Sequence, residues 1–147
     1  MATNPLVVQG TLNRLRGSVV WPNFPALNVT APFLGEEGIR LTLDGDATLF
    51  IPTMTGAVTS PEPYQMITLA MHLLKTQALA VGYKAQQELS TLLGDGTVRP
   101  DASNLPVYQL INCAIESVRE LNFSGDDAGY VVMVRGYYLV NSDLWNL

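Results

Sequence analysis

The clearest pattern along the chain is alternation of apolar and polar residues. From Thr11 to Trp21, Leu12, Arg14, Arg16, Ser18 and Val20 share one side, and Asn13, Leu15, Gly17, Val19 and Trp21 share the other. Two-residue periodicity with β-branched residues predicts a strand, which Pro22 and Pro25 end. Leu27 to Thr30 has room for a short strand. Ile39, Leu41 and Leu43 alternate with Arg40, Thr42 and Asp44. Asp44-Gly45 then gives a turn and Ala47 to Ile51 returns, which predicts a β-hairpin. Gly129 to Val140, dense in Val and Tyr, is the strongest strand. Ser124 to Asp127 before it is a turn. Pro52 to Pro63 is small, polar and proline-marked, and is expected to be a loop.

Three segments break this period. Gln65 to Leu73 is apolar on both faces and fits a buried strand or the start of a helix. In Gln77 to Leu93, Ala78, Val81, Ala85, Leu89 and Leu92 are spaced three and four apart. This predicts the main helix, with that stripe facing a sheet, Thr76 as N-cap and Gly94 at the C-terminus. Gly82, having no side chain, would let the helix lie close to a sheet. Thr97 to Asn104 is expected to be extended, with a turn at Pro100 and Asp101. Val107 to Leu121 carries two signals. Val107, Leu110, Ile111, Ala114, Ile115, Val118 and Leu121 form a good helical stripe, and the spacing leans to helix. The β-branched content and Asn112 favour a strand.

Composition adds one constraint. The chain has 147 residues, the size of one domain (1–147), and 48% are hydrophobic, as in ordinary folded proteins. Only 14% are charged, against a usual value of about 25%. A solvated monomer keeps its surface charged, so this shortage predicts that much of the surface faces other protein. Thirteen acids against eight bases give a net charge of −5, which argues against a chain-wide grip on nucleic acid. No apolar run is long enough for a transmembrane helix. The N-terminal residues lack the pattern of a secretory signal, so an intracellular origin is expected.

The chemistry-bearing residues are few. His72 is the single histidine and Cys113 the single cysteine. A His-pair metal site and an intrachain disulfide are therefore excluded, and no Gly-x-Ser-x-Gly or phosphate-loop motif is present. Glu36-Glu37 and Asp126-Asp127 sit beside glycines and are expected to be solvated turns. Lys75 and Lys84 are the only lysines, against six arginines: Arg14, Arg16, Arg40, Arg99, Arg119 and Arg135. Arginine suits ion pairs across protein interfaces. No catalytic, cofactor or metal residue is expected, and no enzyme activity.

The stretches HLLKTQALAVGYKAQQE from His72, VYQLINCAIESV from Val107 and GDDAGYVVMVRGYYLVN from Gly125 resemble the tail tube proteins of contractile-tailed bacteriophages, which are related to type VI secretion tubes. The resemblance follows nearly the whole chain in order and length. It implies a mainly β fold, an antiparallel β-sandwich or half-open β-barrel with one flanking α-helix. Gln77 to Leu93 would be that helix, Val107 to Leu121 a strand, and Pro52 to Pro63 the loop that stacks rings. It also implies six copies closing a ring around a lumen through which DNA passes without specific binding, inside a virion tail assembled in the host cytoplasm. The partners implied are other copies of the chain, the tail sheath protein, the tape-measure protein, and baseplate and terminator proteins. A terminator, neck or baseplate-hub protein of the same fold is the alternative, and a small-ligand-binding β-barrel a more distant one. A conduit should have a polar, net acidic inner wall, and Asp44, Asp46, Glu116 and Glu120 are the candidates for it.

Overall fold

The computed structural model describes residues 16–101 and 105–143. Eight strands and one α-helix follow in the order β1 (Gly17–Val20), β2 (Leu34–Asp44), β3 (Thr48–Pro52), β4 (Ala57–Pro61), β5 (Tyr64–Leu74), α1 (Leu79–Leu89), β6 (Leu92–Pro100), β7 (Tyr108–Arg119) and β8 (Gly129–Leu139). Six strands form one antiparallel sheet in the order β1-β6-β7-β8-β5-β2, and β3 pairs only with β4. The two edges of the large sheet curl toward each other: a Cβ on Gly17 of β1 would lie 3.3 Å from Ile39 Cδ1 of β2. The fold is thus mainly β, a nearly closed antiparallel barrel with one helix, as the sequence implied.

Period-two patterning sets the inside of this barrel. On β5, Ile67, Leu69, Met71 and Leu73 are buried; on β8 they meet Gly136, Val134, Val132 and Tyr130 in register. Ile39, Leu41 and Leu43 of β2 extend the same rows. The residues between them, including Thr68, Ala70, His72, Met133 and Arg135, stand on the outer face.

The two signals in Val107 to Leu121 have a single cause. The segment is a strand, β7, with irregularities between Ile111 and Ala114 and between Ile115 and Ser117. At the first, Asn112 takes a left-handed conformation (φ 54°), and its N–H donates to Asp95 Oδ1 at 3.2 Å. Each bulge adds a residue. The inward positions therefore become Leu110, Cys113, Ile115 and Val118, spaced three, two and three. Two bulges give a strand the spacing of a helix. Gly136 accommodates this on β8: a Cβ there would lie 2.7 Å from Cys113 Sγ and 3.0 Å from the Ile111 carbonyl oxygen.

The helix is present but shorter and rotated from the predicted stripe. Leu79 and Tyr83 are its buried residues, whereas Val81 is 71% exposed and Leu89 84%. Leu92 belongs to β6, and Ala78 is the N-cap, so only the solvent side of the predicted stripe lies on the helix itself. A specific polar site inside the barrel's open end sets the rotation. The Tyr83 hydroxyl accepts a hydrogen bond from Trp21 Nε1 at 3.1 Å and donates to the Leu27 carbonyl at 2.7 Å. Burying a tyrosine with its hydroxyl satisfied outweighs burying two aliphatic side chains that can stay at the surface. Gly82 packs against Leu27, where a Cβ would come to 3.4 Å of Cδ2, and so approaches the Pro25–Leu27 3-10 turn instead of the sheet. Thr76 does not cap the helix, and Gly94 (φ 78°) serves a bulge in β6.

Three further expectations change. The strand predicted from Thr11 spans only Gly17–Val20 among the described residues, and 11–15 lie outside them. Within Leu27 to Thr30, only Val29 bridges to Val19, after the 3-10 turn. Asp44-Gly45 does form a turn, with Gly45 at φ 87°, but β2 and β3 are not a hairpin. β2 pairs with β5, which offers Leu69 and Met71 to Leu41 and Ile39, an inner face far longer than five-residue β3 provides. The chain leaves the barrel at Gly45. Pro52 to Pro63, expected as a loop, then supplies β4, the second strand of a separate hairpin; its prolines sit at strand ends, where a missing N–H costs no ladder bond. Asp101 N donates to the Arg16 carbonyl at the end of β6, and 102–104 are outside the described residues.

Candidate functional site

Among the described residues, the β3–β4 hairpin gathers the largest number of exposed large apolar side chains on one element pair. No charged residue occurs between Asp46 and Glu62. Phe50 is 67% exposed, Met54 at the tip is fully exposed, and Leu49, Ile51 and Val58 stand open beside them. The Thr53 N–H to Gly56 carbonyl bond of 2.8 Å closes the tip. At the root, Asn141 takes a left-handed conformation (φ 52°) just beyond β8. Its Nδ2 donates to the Ala47 carbonyl at 3.0 Å and the Glu62 carbonyl at 2.7 Å, and so ties both feet of the hairpin to the barrel. Leu43, Tyr64, Met66 and Leu139 extend the exposed apolar surface onto the same end of the sheet. Scattered apolar residues are ordinary on a surface; a braced, uncharged arm that is apolar on both faces, with Leu49, Ile51 and Val58 on one and Phe50 on the other, is the candidate interaction surface.

The outer face of the sheet is polar and paired. Arg135 on β8 lies 3.8 Å from Asp44 of β2 and 3.8 Å from Glu116 of β7, and Glu116 is 4.0 Å from Arg119. The Thr68 hydroxyl donates to Asp44. Each pair is partly exposed and contributes at most about 1 kcal/mol. Together they order one row across four strands. Of the expected wall residues, Asp44, Glu116 and Glu120 therefore stand on or beside this face, and Asp46 lies in the turn beyond β2. Beside these three acids stand three arginines, Arg40, Arg119 and Arg135. The acidic excess of the composition is not concentrated here.

The remaining candidates do not converge on a reaction centre. His72 is half-buried on the outer face, and Cys113 is buried inside the barrel. Burial, and then the nearby Asp95 charge, push the Cys113 thiol up to about 12. Glu36 and Glu37 line an open cleft of about 850 Å³ at the seam between β1 and β2, with Leu34, Val98 and Tyr108. Asp126 and Asp127 form a braced turn. The carboxyl of Asp127 is held below its ordinary value by accepting from the Gly129 N–H at 2.9 Å and then from Asn122 Nδ2 at 3.0 Å. The Asp126 carboxyl is lowered by a hydrogen bond from Ser124. Among the described residues no group of three or more His, Cys, Asp or Glu is placed to hold a metal ion, and no helix is long and apolar enough to cross a membrane.

Compared with protein-family models, curated proteins and solved structures, the chain matches none. Function therefore has to be inferred from the surfaces themselves. The sequence singled out Pro52 to Pro63 as a loop, where the structure has the tip and second strand of a hairpin. Its signal was the run LFI followed by a charge-free stretch to Glu62. The role of Asn141 carried no local signal, because its partners are 94 and 79 residues away.

Proposed function

We propose that this chain is a structural subunit of a bacteriophage tail tube, in which six copies close a ring and rings stack around a lumen. The observation that carries this reading is the braced, uncharged β3–β4 hairpin with its exposed Phe50 and Met54, continuous with the exposed apolar end of the sheet. An apolar arm of this kind is a liability for a solitary protein and is expected where neighbouring copies cover it. Covering an aromatic side chain of 150–250 Å² such as Phe50 to the extent it is now exposed stabilises a contact by about 2–4 kcal/mol.

The low charge content and the mainly β fold support the same role. The outer face of β2, β5, β8 and β7 is the surface suited to the lumen, because its charges, Asp44, Glu116 and Glu120 against Arg40, Arg119 and Arg135, cancel. On this assignment the wall is balanced instead of net acidic, and DNA would pass it without a deep electrostatic well. The tail sheath, tape-measure, baseplate and terminator proteins are the partners this role requires.

Electron microscopy of the purified protein tests the proposal: rings or tubes with a central hole are expected at high concentration. The double variant Phe50→Ser, Met54→Ser should keep the fold by circular dichroism and lose the assemblies. A wild-type protein that stays monomeric at high concentration by native mass spectrometry refutes the reading.

A further inference from the structure

On the outer face, next to the Asp44–Arg135–Glu116 row, a shallow groove of about 260 Å³ crosses the sheet. Arg40 of β2 lies on one side and Arg119, the last residue of β7, on the other. His72 stands between them, and Ala70 and Val131 are among the small or apolar residues that line it. We propose that this groove binds the phosphodiester backbone of a nucleic-acid strand, weakly and without sequence preference. The groove is complete within one copy, so the proposal stands apart from ring assembly.

Charge is the first support. In a chain of net charge −5, two guanidinium groups and an imidazole here face one carboxylate, Glu120. Among the described residues no carboxylate lies within 4 Å of Arg40, and Arg119 has only Glu116 at 4.0 Å. Arg135, one row away, is by contrast held between two acids. Two planar forks are thus left with donors that suit phosphate oxygens. The chain's only histidine makes no hydrogen bond to any described residue, so its ring nitrogens are open to the same anion.

Spacing decides between one anion and a strand. Arg40 and Arg119 are separated by β5 and β8, three strand intervals of roughly 4.8 Å each, and by one side-chain row of about 7 Å along the strands, so their backbones stand about 16 Å apart. That separation, narrowed by two long side chains, suits successive phosphates of a chain better than one free ion. Between the arginines the floor is mostly Ala70, Val131 and Met133, and the Thr68 hydroxyl is already given to Asp44, so the few polar groups there are too sparse to read a run of bases. Glu120, held at φ 60° immediately after β7, places a negative charge at the groove and keeps the contact weak.

Fluorescence anisotropy with a labelled short DNA duplex, at low and at physiological salt, tests the proposal on the full chain. Binding is expected at low salt, equal for unrelated sequences, with log K falling at a slope of about −1.8 against log salt for two neutralised phosphates. The double variant Arg40→Gln, Arg119→Gln should weaken binding about tenfold or more, as the loss of two charge-assisted contacts predicts. Arg16→Gln, Arg99→Gln removes the same charge at the seam and should change it far less. Glu120→Gln should strengthen it. Urea midpoints of all variants are expected to match wild type, since the altered side chains are at the surface. No binding at low salt, or equal losses in the two double variants, overturns the proposal. Displacement of the duplex by millimolar inorganic phosphate would assign the groove to a free phosphate ion and overturn the strand assignment. Ring formation by electron microscopy is read separately, so failure here is distinguishable from failure of the tube reading.

Discussion

Gly96→Ala sets two effects of opposite sign against each other. Gly96 lies on β6 opposite Leu110, and its φ is not in the left-handed region. Replacing such a glycine by alanine ordinarily stabilises by about 0.4–1 kcal/mol, because the unfolded chain has less freedom to lose. Here the new Cβ would lie 2.3 Å from Trp21 Cζ3 and 2.5 Å from Cε3. The indole would have to retreat by about 1 Å to reach an ordinary contact of about 3.5 Å. It has nowhere to go. Trp21 is fully buried, its Nε1 is bonded to Tyr83, and its backbone N–H donates to Asn28 Oδ1 at 2.7 Å. Overpacking costs about 1–3 kcal/mol, and stretching the indole bond forfeits part of another ~1 kcal/mol. The clash should win, with a net loss of about 1–3 kcal/mol. Urea unfolding followed by Trp fluorescence measures it through the midpoint at unchanged slope. In a double-mutant cycle with Trp21→Leu, the double variant should be more stable than the sum of the single losses by about 1 kcal/mol or more, the size of coupling expected for residues in contact. A Gly96→Ala protein as stable as wild type, or additivity in the cycle, would refute the account of the Trp21 site.

Removing one tyrosine hydroxyl should have opposite effects at two positions. Tyr83→Phe strands Trp21 Nε1 and the Leu27 carbonyl and should cost about 1–3 kcal/mol. The Tyr130 hydroxyl is buried without a partner among the described residues, with its titration pushed up to about 12 by burial, so Tyr130→Phe should be neutral or stabilising in the same urea assay. Leu89→Asp, at an exposed helix position, should change stability by no more than about 0.5 kcal/mol by thermal melting. Cys113 should react with a thiol reagent at pH 8 at least about tenfold more slowly in the folded protein than in urea, since its thiol is buried inside the barrel and pushed up to about 12. The folded Asp127 carboxyl titrates below its ordinary 3.8, so its bond to Gly129 stabilises the turn above that value and is lost as pH falls through the lowered one. Amide exchange at Gly129 should therefore gain an acid-dependent component that Asp127→Asn abolishes.

How far the sequence reaches can be judged from particular elements. β8 was legible because its density of Val and Tyr suits a strand whatever the partner, whereas β5, apolar on both faces, read equally as a buried strand or the start of a helix until its pairing with β2 and β8 decided it. The existence of α1 was legible from residue type, but its orientation was not. Which side of it enters the core depends on Trp21 and the Leu27 carbonyl, distant in sequence, which together make a site for the Tyr83 hydroxyl. β7 hid behind its bulges: the sequence records the spacing of the inward residues, whereas Asn112 at φ 54° decides how that spacing is achieved.

The candidate surfaces divide in the same way. The chain by itself determined that charge would be scarce, that a single histidine and a single cysteine exclude a His-pair metal site and an intrachain disulfide, and that the stretch between Asp46 and Glu62 would be uncharged. Tertiary structure alone decided that this stretch is a projecting hairpin, because β2 finds a longer apolar partner in β5 than in β3. It alone placed Arg40, His72 and Arg119 along one groove, since their strands become neighbours only through the order β7-β8-β5-β2. Periodicity is a local property, written residue by residue. Strand order, bulge geometry and the partners of a buried hydroxyl are properties of pairs far apart along the chain, and only the folded barrel brings them together.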